Sequence, residues 1–273
     1  MKMQSGFSAK KLLPPLIVLG LITAAAFLFL EEEQPTVSVK KVAKMKNVAK
    51  TVAASYGSRG TDTSWPAMPS DAVATANNLL AKNYMFVLDA SGSMAKGDCT
   101  DRVSKMAEAK SAILAFGESL EADANIGLLA FSGANIKIVQ PLSPYRKAAL
   151  EDALQAIRPE GSTPLADAID LGFKSLNEQA ITQLGNGGYH LVVVTDGVAD
   201  KGQNVLRSVE RVIATSPVMI HAIGFCIGTN HALNQTGLTR YVAASDGATL
   251  REGLQAVLAE APAFDASAFS VVP

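Results

Sequence analysis

The chain has 273 residues, a formal net charge of −1 at pH 7, and 48% hydrophobic residues. This length and apolar fraction suffice for one large domain with appendages. The nearly neutral charge and the single tryptophan, with no aromatic residues interleaved among basic ones, exclude nucleic acid as a general partner. No G-x-x-x-x-G-K-[ST] segment occurs, so the sequence offers no P-loop for a nucleotide.

An uncharged apolar run, residues 12–30, follows a short lysine-bearing tail at residues 1–11. A helix over this run would span about 28 Å, which is close to the hydrocarbon thickness of a lipid bilayer. We therefore expect a single-pass transmembrane anchor, with a cleaved signal sequence as the alternative because Ala24–Ala26 are small. Lys10 and Lys11 favour a cytoplasmic N-terminus, although several lysines beyond the run count against it. This predicts a protein of the cell (inner) membrane whose domain is extracytoplasmic or periplasmic.

A polar, lysine-rich connector occupies residues 31–80. Apolar residues recur at helical spacing over residues 42–52, which indicates a short amphipathic helix that rests either on anionic lipid or on the domain. Residues 56–71 are rich in Gly, Ser, Thr and Pro, as is typical of a linker. At the other end of the chain, residues 262–273 form a C-terminal tail.

Residues 81–261 alternate strand and helix patterns. Apolar runs and turn signals predict strands at residues 83–89, 125–132, 136–142, 189–197, 218–225 and 239–243. Helical periodicity predicts helices at residues 101–120, 146–157, 164–176, 204–214 and 249–260. This alternation indicates one α/β domain with a doubly wound, mainly parallel, Rossmann-like sheet and helices on both faces. The common strand order for such a sheet is 3-2-1-4-5-6.

Oxygen-bearing side chains follow the strands that this order places side by side. Asp89 ends the first strand, Ser91 and Ser93 lie in the next loop, and Asp196 ends the fourth strand. Ligands of doubly wound sheets bind outside the carboxyl ends of the strands, so these side chains are expected to converge. Thr163 and Pro164 have the residue types of a helix cap and a first helical position, which places Thr163 at the same edge.

These five side chains are oxygen donors, with no His or Cys among them, and such a set favours a hard cation. Two carboxylates and three hydroxyls suit Mg²⁺ or Mn²⁺, and they leave coordination positions of the ion open to water or to a further ligand. A Glu or Asp of a protein partner could complete the shell. The pattern therefore predicts metal-mediated binding that requires no catalysis.

Three segments, "DASGSM", "GSTPLADAI" and "VVVTDG", resemble in their order and spacing the metal-ion-dependent adhesion site of von Willebrand factor type A domains. The resemblance covers roughly residues 81–260. It implies a Rossmann-like domain that binds Mg²⁺ or Mn²⁺ and recognises an acidic side chain of a protein ligand. The implied metal ligands match the motif completely and are Asp89, Ser91, Ser93, Thr163 and Asp196.

Two other functions fit parts of the pattern. A Mg²⁺-dependent phosphatase with an aspartyl nucleophile would place its nucleophile where Asp89 lies, but it usually has a second Asp where this chain has Ser91. A structural envelope protein with a degenerate metal site is the other alternative. Serine hydrolysis is disfavoured, because "DASGSM" does not have the G-x-S-x-G form.

The two cysteines, Cys99 and Cys226, are both predicted at the carboxyl edge of the sheet, where the metal ligands are also predicted. In an oxidising compartment they could form a disulfide, and the alternative is two unpaired thiols. His190 and His221 lie in strand-like runs and are expected to be packed or hydrogen-bonded. His231 lies in a loop that could approach the metal edge.

Overall fold

The computed structural model describes residues 65–100 and 103–259. The predicted anchor, the amphipathic segment and the C-terminal tail lie outside these residues. Within them, no helix combines the length and apolar character needed to cross a membrane.

A six-stranded sheet forms the centre of the described fold, with strand order β3-β2-β1-β4-β5-β6. The strands are β1 (Lys82–Asp89), β2 (Asn125–Ser132), β3 (Asn135–Pro144), β4 (Gly188–Thr195), β5 (Met219–Phe225) and β6 (Arg240–Ala244). All neighbours are parallel except β2 and β3, which form an antiparallel hairpin. The predicted strand order and mainly parallel pairing are confirmed.

Helices cover both faces of the sheet. They are α1 (Lys105–Glu118), α2 (Lys147–Ala156), α3 (Leu165–Thr182), α4 (Val205–Thr215) and α5 (Gly247–Ala259). Side chains of β1 alternate between the two layers, as the two-residue period of a strand requires. Phe86 and Leu88 pack in the core shared with α1, α2 and α5, whereas Met85 and Val87 pack in the core shared with α3 and α4.

The helix boundaries differ modestly from those predicted. Helix α3 continues to Thr182, beyond the predicted end at Leu176, because Ala180 extends its buried face by another turn. Residues 65 and 66, which lie within the predicted linker, contact the domain. The ring of Trp65 packs edge-on against Tyr189 with a centroid separation of 4.8 Å.

Strand β1 occupies the centre of the sheet and ends at Asp89, so its carboxyl end lies between those of β2 and β4. The loop after β1 is attached to the loop before α3 by two backbone hydrogen bonds, from Glu160 N to Ala90 O and from Gly92 N to Gly161 O. Gly161 has φ +72°, and a Cβ there would lie 2.5 Å from the Cα of Gly133. Only glycine fits this close approach, which packs the segment before Thr163 against the turn between β2 and β3.

Candidate metal centre

Asp89 is fully buried at the end of β1. Its Oδ1 accepts a hydrogen bond of 2.7 Å from the backbone N–H of Ser91, and its Oδ2 accepts one of 2.6 Å from Thr195 Oγ1. Burial raises the pKa of Asp89; hydrogen bonds from Thr195 and Ser91 oppose this rise, and the nearby Asp196 adds to it. The Asp89 carboxylate is therefore held in one orientation, and its hydrogen bonds do not fully offset the cost of burying its negative charge.

Ser91 and Ser93 present their hydroxyls side by side, with 3.0 Å between the two Oγ atoms. Ser93 donates its proton to Asp196 Oδ1 over 2.7 Å. Ser93 thus uses its only proton on Asp196, and lone pairs on both serine oxygens stay available to a cation.

Asp196 follows β4, and its side chain is fully buried. Its Oδ2 accepts no hydrogen bond of good geometry, although the ammonium of Lys105 lies 2.8 Å away. Lys105 also lies 3.0 Å from Asp98 Oδ1. Burial lowers the pKa of Lys105, but the ion pairs with Asp196 and Asp98 outweigh this effect and leave the pKa above its usual value.

Thr163 does not cap the following helix, contrary to the sequence prediction. Helix α3 begins at Leu165 with Pro164 in the capping position, so Thr163 lies one residue further out. Its backbone N–H donates to Asp200 Oδ1 over 3.0 Å, and its carbonyl accepts from the Asp200 N–H over 3.0 Å. Held by its backbone, Thr163 is free to direct its hydroxyl toward the end of β4.

Gly197 shows how closely these oxygens converge. A Cβ at this position would lie 3.4 Å from Thr163 Oγ1, 3.8 Å from Asp89 Oδ2 and 4.0 Å from Ser93 Oγ. Because Asp196 and Ser91 are hydrogen-bonded to Ser93, all five predicted ligands belong to one cluster. The structure thus brings together the whole set that the sequence nominated.

The cluster fits a divalent cation. Two carboxylates are buried here, Lys105 pairs with that of Asp196, and Asp196 Oδ2 lacks a hydrogen-bond donor of good geometry. Buried charge of this kind requires a counter-charge. Across the described ranges, no three His, Cys, Asp or Glu side chains group as potential metal ligands, so any cation bound here depends on the hydroxyls. The residues that would hold the ion are Asp89, Ser91, Ser93, Thr163 and Asp196.

Sequence reasoning missed three residues that hold these ligands in place. Thr195 donates to Asp89, Asp200 binds the backbone of Thr163, and Lys105 pairs with Asp196. Thr195 could have been found, because it directly precedes Asp196 at the end of a strand that neighbours β1. The positions of Asp200 and Lys105 depend on loop conformation, for which the sequence gives no periodic signal.

His231 reaches the carboxyl edge of the sheet, where the candidate ligands lie, and contacts the turn after β4. Its Nδ1 accepts from the backbone N–H of Leu233 over 3.1 Å, so Nε2 carries the proton and donates to the Gly197 carbonyl over 2.9 Å. His231 therefore holds the turn after Asp196. His190 and His221 are buried and lie within hydrogen-bonding distance of each other, as predicted.

Cys99 and Cys226 form a disulfide with a Cα–Cα distance of 6.2 Å. The bond joins the loop after β1, which contains Asp98, to the residue after β5. It spans 127 positions of sequence and crosses the edge of the sheet where the candidate ligands lie.

Replacing both cysteines with serine is expected to lower the free energy of unfolding by about 2–5 kcal/mol, because the cross-link restricts the unfolded chain over a long loop. Urea unfolding, monitored by circular dichroism, measures this difference in the free energy of unfolding. Reduction of the wild type by dithiothreitol should reproduce it, and the double variant should not respond to the reductant. Equal unfolding midpoints for the oxidised wild type and the double variant would contradict the bond.

Comparison with known families supports the fold. Residues 84–198 match the sequence model of the von Willebrand factor type A domain family, which is less than half of the chain. No curated protein sequence matches the chain significantly.

Solved structures share the architecture at low sequence identity. A von Willebrand factor type A protein from Catenulispora acidiphila aligns with a TM-score of 0.54 and 18% identity, over 67% of this chain and 43% of that one. The PilB minor pilin from Streptococcus sanguinis aligns with a TM-score of 0.53 and 16% identity, over 68% and 62%. The corresponding domain of the type V pilus tip protein Mfa5 from Porphyromonas gingivalis gives a TM-score of 0.51 and 11% identity, over 70% and 99%. At these identities the likeness is one of fold, and residues 65–100 and 103–259 have the α/β fold of von Willebrand factor type A domains.

Proposed function

We propose that this chain is a membrane-anchored, metal-dependent protein-binding module, with an adhesion or scaffolding role. It would recognise a Glu or Asp side chain of a partner through Mg²⁺ or Mn²⁺. The observation that carries the proposal is the convergence of Asp89, Ser91, Ser93, Thr163 and Asp196 at the carboxyl edge of the sheet. The fold and the family match are those of domains that serve in adhesion and scaffolding.

A cation held here would supply a coordination position for the carboxylate of the partner. Other residues of the chain hold the ligands in position. Thr195 and the Ser91 N–H fix the direction of Asp89, while His231 and Asp200 hold the turn at Gly197 and the backbone of Thr163. A site fixed in this way loses little conformational entropy when a partner binds.

The same contacts argue against the aspartyl phosphatase alternative. Both carboxylate oxygens of Asp89 accept hydrogen bonds, and the side chain is fully buried, so it is poorly placed to attack a phosphate ester. The nearest histidine, His231, uses its Nε2 proton on a backbone carbonyl and its Nδ1 lone pair on a backbone N–H. It has no lone pair left to activate a serine.

The proposed location is the outer side of the inner membrane, with residues 12–30 as the anchor. A disulfide at the binding edge suits this side, because disulfides persist in oxidising compartments and are rare in the cytoplasm. Sedimentation with membranes after alkaline washing, compared with a chain that lacks residues 1–31, tests the anchor. Release of the full chain by the wash would overturn it.

Capture of envelope proteins on the immobilised chain tests the binding mechanism. Partners are expected to bind in Mg²⁺ and to elute with EDTA, and the Asp89→Asn variant should not retain them. Asp123→Asn is the matched control, since Asp123 is exposed in the loop before β2, at the opposite edge of the sheet. If the same proteins bind in EDTA and to Asp89→Asn, metal bridging is wrong.

A further inference from the structure

Lys105 is a buried ammonium within the candidate metal centre. It is the first residue of α1, and its side chain is only 6% exposed. A lysine is almost never buried to this extent unless it is paired, because its desolvation is costly. Its two partners are Asp196 Oδ2 at 2.8 Å and Asp98 Oδ1 at 3.0 Å.

The two partners of Lys105 differ in their surroundings. The Asp196 side chain is fully buried, whereas that of Asp98 is 63% exposed. Opposite charges attract more strongly where water is excluded, so the dominant interaction of Lys105 is with Asp196. Asp196 is one of only two carboxylates among the five candidate ligands, and Lys105 therefore offsets half of their negative charge.

We infer that Lys105 sets the metal affinity of this centre by competing with a divalent cation for the carboxylate of Asp196. The inference rests on the proposed function and identifies a residue that determines its specificity. With a divalent ion bound, the ion, the two ligand aspartates and Lys105 sum to +1, and Asp98, whose side chain is 63% exposed, offsets this charge only in part. That charge disfavours retention of the cation and favours an anionic ligand over a neutral one.

Asp98 provides an alternative partner for the ammonium. When a cation engages Asp196, Lys105 keeps its ion pair with Asp98 and does not become an unpaired buried charge. Asp98 directly precedes Cys99, whose disulfide to Cys226 anchors the loop in place. The cost of binding a cation is thus reduced by a carboxylate outside the ligand set.

A calorimetric titration of the full chain in detergent with Mn²⁺ or Mg²⁺ alone tests this role. Lys105→Met removes the charge and keeps the length of the side chain, so the metal should bind about tenfold more tightly. Asp98→Asn leaves Lys105 paired with Asp196 alone, so the metal should bind about threefold more weakly. In the double variant, Asp98→Asn should have no further effect, because Asp98 acts through Lys105. Lys174→Met, an exposed lysine of α3, controls for total charge and should match the wild type.

The outcomes separate this inference from the proposed function. Metal binding by wild type and Lys105→Met with equal affinity overturns the inference and leaves the proposed function intact. Binding by Lys105→Met but not by the wild type supports the inference that the lysine opposes the cation, and it overturns the proposed function of the wild type. Binding by neither overturns both. If Lys105→Met does not fold, Asp98→Asn still tests the inference, because Asp98 is exposed and its replacement should not disturb the fold. An unchanged or higher metal affinity in Asp98→Asn overturns the inference.

Discussion

Replacing Asp89 with Asn is expected to weaken Mg²⁺ or Mn²⁺ binding by at least about a hundredfold while leaving the fold intact. The substitution removes one of the two carboxylates of the site. Its amide still fits the pocket, because the side-chain oxygen can accept from the Ser91 N–H and the amide N–H₂ can donate to Thr195 Oγ1. Loss of a buried charge also offsets any loss in hydrogen-bond strength.

Thermal unfolding with and without millimolar Mg²⁺ measures both effects. The wild type should gain stability in Mg²⁺, as any ligand that binds only the native state requires. Asp89→Asn should gain none and should unfold near the metal-free wild type. Asp123→Asn should behave as the wild type does. A full metal response in Asp89→Asn would remove Asp89 from the ligand set.

Lowering the pH from 7.5 to 5 is expected to destabilise the domain through His190 and His221. Both rings are buried, with 3.2 Å between His190 Nδ1 and His221 Nε2. Burial lowers the pKa of His190 to about 3, aided by the positive charge of His221, Lys82 and Arg240. Burial and the charge of Arg240 lower the pKa of His221 to about 4.

The direction of the effect follows from these shifts. Above the unfolded-state pKa of about 6.5, both histidines are neutral in either state, and their contribution to stability is complete. Below it, the unfolded chain binds protons that the native state resists, so stability falls as the pH is lowered toward the native pKa values. Two such groups over about 1.5 pH units amount to a loss of about 4 kcal/mol at pH 5.

Urea unfolding at a series of pH values tests this loss, and His221→Gln is the matched variant because Gln keeps hydrogen-bonding capacity without titrating. It should show about half of the pH dependence. Asp89, whose pKa is raised, contributes with the opposite sign, and the Asp89→Asn background removes that contribution. A stability that stays constant between pH 7.5 and 5 would show that the pair accepts protons as readily as free histidines do.

The positions of Asp89 and Asp196 could be predicted because each follows an apolar strand. Once the strand order is inferred, the carboxyl ends of β1 and β4 must be neighbours, and the structure has this order. The grouping of Ser91 and Ser93 with Asp89 follows from their closeness in sequence. These inferences need only strand identity and topology, which hydrophobic patterning encodes strongly.

The pairing of Lys105 and the role of Thr163 could not be predicted in the same way. Lys105 lies next to a loop whose path depends on a backbone hydrogen bond from Lys105 N to Lys96 O. A lysine at the start of a helix usually faces solvent, so its residue type predicts the opposite of its burial. Thr163 before Pro164 has the residue types of a cap, and the local pattern does not reveal that the helix starts one residue later.

The central position of β1 has a consequence for how the domain is made. Its partner β4 lies about a hundred residues later in the chain, and Ser93 and Asp196 are 103 positions apart. Contacts of such long range are expected to form slowly, because closing a long loop costs entropy before any contact is gained. During synthesis or export, a chain that ends before Asp196 has only part of the ligand set. The proposed metal site is thus complete only in the finished fold, and the time at which metal binding appears would report when that fold forms.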